Sequence, residues 1–164
     1  MMALLLVIGG VLLLFVFMVI ATYNSLVKLR NLVDSAWSGI TIQLKLRADL
    51  IPNLVATVKG YAAHEESVFS EIADARARMA GTTSPKELAN ANEELTGALG
   101  RLFAVAESYP DLKASTNFSD LQTELSDIEN KIQAARRGYN NGVTEYNTKL
   151  QIFPNNIIAS MFNF

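Results

Sequence analysis

The first 21 residues, MMALLLVIGGVLLLFVFMVIA, carry no charged side chain, and no other feature of the chain restricts its fold as strongly. As an α-helix rising ~1.5 Å per residue this run reaches ~30 Å, the thickness of a bilayer's hydrocarbon core. A cleaved signal peptide would show a positive n-region, an apolar stretch of ~7 to 15 residues and a small-x-small cleavage site. None of these is clear, so residues 1–22 read as a transmembrane anchor. The first charged side chains are Lys28 and Arg30. Positive residues are retained on the cytoplasmic side, so two of them after the span, against only the α-amino group before it, predict an N-terminus outside and a cytoplasmic body. Gly9 and Gly10 form no small-xxx-small pattern and read as ordinary membrane-helix glycines.

The 164 residues leave about 140 beyond the anchor, enough for one hydrophobic core and too few for a second folded domain. Fourteen Lys and Arg against 16 Asp and Glu give a net charge of −2, all of it after the anchor. A general nucleic-acid-binding surface needs a basic excess that is missing, so no nucleic acid partner is expected. The absence of cysteine removes disulfides, thiolate nucleophiles, thiolate metal sites and a lipidated N-terminal cysteine.

Beyond Ala21 apolar residues recur three and four apart, and no stretch alternates with period two over a strand length, which predicts an all-α chain. One stripe runs through Val33, Trp37, Ile40, Leu44 and Ile51 and continues as Val55, Val58, Ala62, Phe69, Ile72 and Met79. Only Pro52 interrupts it, and a proline either kinks a helix or ends it at the preceding residue. A single helix from Tyr23 to Ala80 would run ~87 Å, longer than the later helices can cover. That argument favours a turn near Pro52, with two antiparallel helices, although the unbroken phase of the stripe favours a kink.

Gly81 can end a helix in a left-handed conformation, and Ser84-Pro85-Lys86-Glu87 supplies an N-cap, a proline at N1 and a capping-box glutamate. The helix starting at Pro85 has the core face Leu88, Ala91, Leu95, Leu99, Leu102 and Ala106, and stops before the turn Tyr109-Pro110-Asp111. The last long helix, N-capped by Asn117 or Ser119, has the face Phe118, Leu121, Leu125, Ile128, Ile132, Ala135, Tyr139, Val143, Tyr146, Leu150 and Phe153, and ends at Phe153-Pro154.

Two segments closely resemble the LemA family of bacterial envelope proteins. They are YNSLVKLRNLVDSAWSGITIQLKLRADLIPNLVATVKGYAAHE, from Tyr23 to Glu65, and ESYPDLKASTNFSDLQTELSDIENKIQAARRGYNNGVTEYNTKLQIFPNNIIASMF, from Glu107 to Phe162. The resemblance implies an N-terminal membrane helix with a short extracytoplasmic N-terminus, an up-and-down four-helix bundle, and a role at the membrane or envelope. It brings no catalytic residues. Many members continue beyond the position of Phe164 with a polar tail.

No chemical motif stands out. The lone histidine, His64 in Ala63-His64-Glu65-Glu66, lacks the second imidazole that a zinc-protease helix needs, because position 68 is Val68. Glu65 with Glu66, and Glu93 with Glu94, are sequence neighbours that point in different directions on a helix. A carboxylate-bridged metal site in a bundle needs two Glu-x-x-His motifs, which one histidine cannot supply. Gly97 and Gly100 have no preceding strand for a phosphate-binding loop and read as sites of close helix packing, as do Gly138 and Gly142.

The expectation is therefore an anchor (1–22), an antiparallel four-helix bundle (23–153) and a short apolar C-terminal segment (154–164), in a bacterial cell membrane. No enzyme activity, cofactor or metal is expected. The expected function is that of a scaffold or adaptor. Its partners are the lipid bilayer and other membrane proteins or copies of itself, with a self-assembling membrane-shaping protein as the alternative. The candidate interaction residues are the pairs Tyr23-Asn24, Tyr139-Asn140 and Tyr146-Asn147, which an up-and-down path brings near the membrane. To these we add Ile157, Ile158, Met161 and Phe162, which can form one apolar face of a short helix.

Overall fold

The structure is a computed structural model that describes residues 1–82 and 84–164. Among the described residues six helices follow in order: α1 (Met2–Lys59), α2 (Glu66–Gly81), α3 (Pro85–Ala106), α4 (Pro110–Lys113), α5 (Thr116–Gln151) and α6 (Asn155–Met161). No strand occurs among the described residues. The chain is all-α, an N-terminal apolar helix leading into an antiparallel bundle. It divides into two compact units, Thr41–Ile132 and Met1–Ile40 with Gln133–Phe164, and α1 and α5 contribute to both.

In the unit Thr41–Ile132 the partners across helices fix the directions. Arg47 reaches Glu129 and Thr57 accepts from Asn117, so α5 descends where α1 ascends. Arg101 pairs with Glu71 and Arg78 with Glu94, which sets α2 and α3 antiparallel. Lys59, in the last turn of α1, places its ammonium 5.0 Å from the centre of the Phe69 ring on α2. The core is the apolar face of each helix: Leu44, Ile51, Leu54 and Val58 of α1, Phe69 and Ile72 of α2, Leu95, Leu99 and Leu102 of α3, and Phe118, Leu125 and Ile132 of α5 are all buried.

The turn expected near Pro52 is absent. Helix α1 runs through Pro52 to Lys59, and the chain turns at residues 60–65. Proline removes the amide that would bond the carbonyl four residues back, here that of Ala48. The Arg76 Nε–H of α2 donates to that carbonyl at 3.0 Å. The hydrogen bond lost to the proline is thus replaced from the neighbouring helix, and the proline ring itself is exposed.

Other local expectations also change. Helix α2 continues through Gly81, and no glycine among the described residues has positive φ. Ser84 occupies the N-cap of α3 without a side-chain cap bond. Instead the Thr82 hydroxyl donates to Glu87 at 2.6 Å and accepts from the Ser84 amide at 3.3 Å. Helix α5 begins at Thr116, ahead of both expected caps, and the Asn117 amide is spent on Thr57. At Tyr109-Pro110-Asp111, where a turn is expected, Tyr109 is instead the N-cap and Pro110-Asp111 the first residues of the four-residue α4, and the turns fall on either side, at 107–108 and 114. A Cβ at Gly97, Gly100 or Gly138 would meet nothing within 4 Å, so these glycines mark no close approach; only at Gly142 would it meet a neighbouring helix, Val33 Cγ2 at 3.5 Å.

Candidate functional site, the anchor end and the C-terminal helix

In the unit Met1–Ile40 with Gln133–Phe164, α1 and α5 form an antiparallel pair. Trp37 lies against Tyr139 with ring centroids 5.6 Å apart, and Val33 faces Gly142. Two helices alone can bury only one stripe each. Trp37, Tyr139, Val143, Tyr146 and Leu150 are accordingly half-buried, where the apolar spacing alone predicted core, and Phe153 is 79% exposed.

After α5, Pro154 starts α6, which folds back on α1 where the charge-free run ends. The Thr22 hydroxyl donates to Asn155 Oδ1 at 3.3 Å, and both residues are buried. Ile158 and Ala159 turn inward. Burying an isoleucine side chain is worth roughly 1.5–3 kcal/mol, so this contact and the satisfied polar pair hold α6 to the anchor. The Tyr23 ring receives two aromatic neighbours edge-on, Phe162 with centroids at 5.0 Å and Phe164 at 5.4 Å.

The four residues expected on one apolar face, three in α6 and Phe162 just after it, therefore divide. Ile158 is internal, whereas Ile157, Met161 and Phe162 remain 52%, 67% and 47% exposed. Of the YN pairs, Tyr23 joins this cluster. Tyr139 sits at Trp37, roughly 21 Å from Tyr23 along α1, and Tyr146 lies between them on α5, so the tyrosines do not converge. Asn24, Asn140 and Asn147 are exposed. Residues that spacing did not single out are Thr22 and Asn155, the polar pair that fastens α6. Asn155 follows the helix-breaking Pro154, a start signal, but a partner so distant in sequence leaves no local trace.

Large apolar side chains cover the outside of this region. The most apolar stretch of α1 has none of its residues buried, and Ile152 and Phe153 continue the exposed set next to α6. Such a surface is costly in water and suited to hydrocarbon.

The unit Thr41–Ile132 holds the other notable polar group. Arg47, 5% exposed, places one guanidinium nitrogen 2.8 Å from Glu129 and 2.7 Å from Asn92 Oδ1. A buried cation is tolerated when paired and hydrogen-bonded, and this one links α1, α3 and α5. Among the described residues no group of three or more histidine, aspartate and glutamate side chains gathers as a metal site would, and His64 is exposed in the turn after α1.

The LemA family model matches residues 36–164. Protein LemA of Metamycoplasma hominis is 32% identical, covering 88% of this chain and 67% of its own length. Magnetosome protein MamQ 2 of Paramagnetospirillum magneticum is 27% identical and Magnetosome protein MamQ of Magnetospirillum gryphiswaldense 26%, each covering 92% of this chain and 65% of its own length. The chain spans about two thirds of the length of the curated relatives it matches. None of these names denotes an enzyme, and together with the apolar N-terminal helix they fit a membrane-associated protein of a non-enzymatic kind. From the match over most of its length, the chain belongs to the LemA family.

Proposed function

We propose that the protein is a membrane-anchored scaffold or adaptor with a cytoplasmic body, working through the packing surfaces of its helices and not through bond chemistry. The observation that carries this reading is the division of its surface. Exposed apolar side chains run along α1 from Met2 to Ile20 and reappear at Ile152, Phe153, Ile157, Met161 and Phe162. The helices of the unit Thr41–Ile132 instead bury most of their apolar residues and expose most of their charges. In this reading α6 lies in the bilayer's interfacial layer beside the anchor, with Tyr23 at headgroup depth, where aromatic residues are favoured.

Within Thr41–Ile132, Ile42 and Leu46 are 58% and 47% exposed one turn apart on α1. This pair favours contact with another protein or with a second copy. The second reading, a self-assembling membrane-shaping protein, draws on the same pair and on the magnetosome names of two relatives. A photo-crosslinking residue at Ile42 or Leu46 in native membranes tests both. Adducts with other membrane proteins support the adaptor, and ladders of self-adducts support assembly. No adduct from either position, with the protein present in the membrane, contradicts both. The orientation is checked with single cysteines at Ser84 and Ser115: an impermeant thiol reagent labels them only after lysis, and labelling in intact cells contradicts a cytoplasmic body.

A further inference from the structure

Helix α6 does not close completely on α1. Between them runs a groove of about 280 Å³ walled by Phe15, Val16, Val19 and Ile20 of the anchor and by Ile157 and Met161 of α6. No lining side chain carries a charge or a hydrogen-bonding group, and the α1 backbone along it is spent inside the helix. The groove can therefore hold only an apolar occupant.

We propose that it holds one acyl chain of a membrane phospholipid. The inference rests on the seating of α6 in the bilayer argued above and adds the occupant. Three observations select a lipid chain. The anchor wall belongs to the charge-free run, so the groove opens into hydrocarbon and not into water. Its lining offers no polar side chain, whereas helix association in membranes draws on interhelical hydrogen bonds as well as on packing, so a second transmembrane helix gains little there. Its walls are large side chains, whereas close helix–helix approach in membranes relies on small ones, and Gly9 and Gly10 lie outside it. A linear chain is slim enough, and it enters sideways from the leaflet that α6 occupies.

The test uses the full chain in nanodiscs of phosphatidylcholine carrying a nitroxide near the end of one acyl chain. Val19→Trp and Met161→Trp fill the groove, and Leu13→Trp, at an exposed anchor position away from it, is the control. Wild type and Leu13→Trp should immobilise about one more lipid per protein than either filled variant, with the helical signal of all four unchanged. Equal immobilised fractions in wild type and filled variants overturn the proposal. So does a disulfide between copies joining Val16→Cys to Ile157→Cys, which would show a second chain in the groove. A nitroxide on Phe162→Cys separates the two ideas. If it reports the interfacial layer, shielded from bulk water, while the lipid counts stay equal, only the acyl-chain site fails; if it reports bulk water, the seating of α6 fails with it.

Discussion

The two units use the same two long helices to opposite ends. In Thr41–Ile132, α1 and α5 meet α2 and α3, and the helices bury Leu44, Leu54, Ile72, Leu95, Leu102 and Ile132 nearly completely. In Met1–Ile40 with Gln133–Phe164, the same helices have only each other and the short α6. Leu26, Ile40, Ile158 and Ala159 are the buried apolar residues there, against a long run of exposed leucine, isoleucine, valine and phenylalanine. Four helices give an interior that excludes water by itself. Two helices and a seven-residue third do not, so this unit must draw its apolar environment from elsewhere. The bilayer supplies it at the anchor and, on our reading, at α6.

Substitutions that weigh one unit against the other sharpen the comparison. The largest effect belongs to Arg47. Arg47→Ala removes the cation shared by Asn92 and Glu129 and should cost roughly 3–5 kcal/mol in chemical denaturation, as breaking a buried pair does. Replacing all three with apolar residues of similar volume should restore most of the loss. If Arg47→Ala costs under about 1 kcal/mol, the group is not a buried crosslink. Leu102→Ala, in the same core, should cost roughly 2–5 kcal/mol. Trp37→Ala, in the two-helix pair, should cost about half of the 3–5 kcal/mol of a fully buried aromatic, because Trp37 is only half-buried. A Trp37 loss equal to that of Leu102 would erase the distinction between the units.

The smaller effects concern the backbone. Arg76→Met should cost about 1 kcal/mol in the natural chain and little in a Pro52→Ala background, where the restored amide satisfies Ala48. Equal costs in both backgrounds would break the account of how α1 passes its proline. Gly97→Ala and Gly100→Ala, both into open space on an exposed helix face, should each add about 0.8–1 kcal/mol through helix propensity, visible as a small rise in midpoint.

The apolar spacing of α3 read correctly from the sequence: Leu88, Ala91, Leu95, Leu99, Leu102 and Ala106 are all buried. So did the start at Pro85 and the end of α5 before Phe153-Pro154, where proline acts on its own neighbours. Pro52 misled because its consequence is not local. The decisive group, Arg76, lies on the next helix, and the length argument overlooked that α5 has 36 residues to lay beside α1. Arg47 stands on the stripe between Leu44 and Ile51, a signal of burial, but Asn92 and Glu129 cannot be matched to it without the fold. The C-terminal residues were recognisable as an apolar, charge-free segment by composition, yet their division into inward Ile158 and outward Ile157, Met161 and Phe162 depends on docking to Thr22 and Tyr23.

On our reading the sparse unit completes itself with lipid and the four-helix unit does not. The chain has no cysteine, so single-cysteine nitroxide labels can be placed without background. Labels at Ile157, Met161 and Phe162, and at Ile42, Tyr61 and Gly97, are compared in phospholipid vesicles by their accessibility to oxygen and to a water-soluble nickel chelate. The account predicts that the first three favour oxygen and are shielded from nickel, and that the second three show the reverse. Nickel access at Ile157, Met161 and Phe162 equal to that at Gly97 would contradict it.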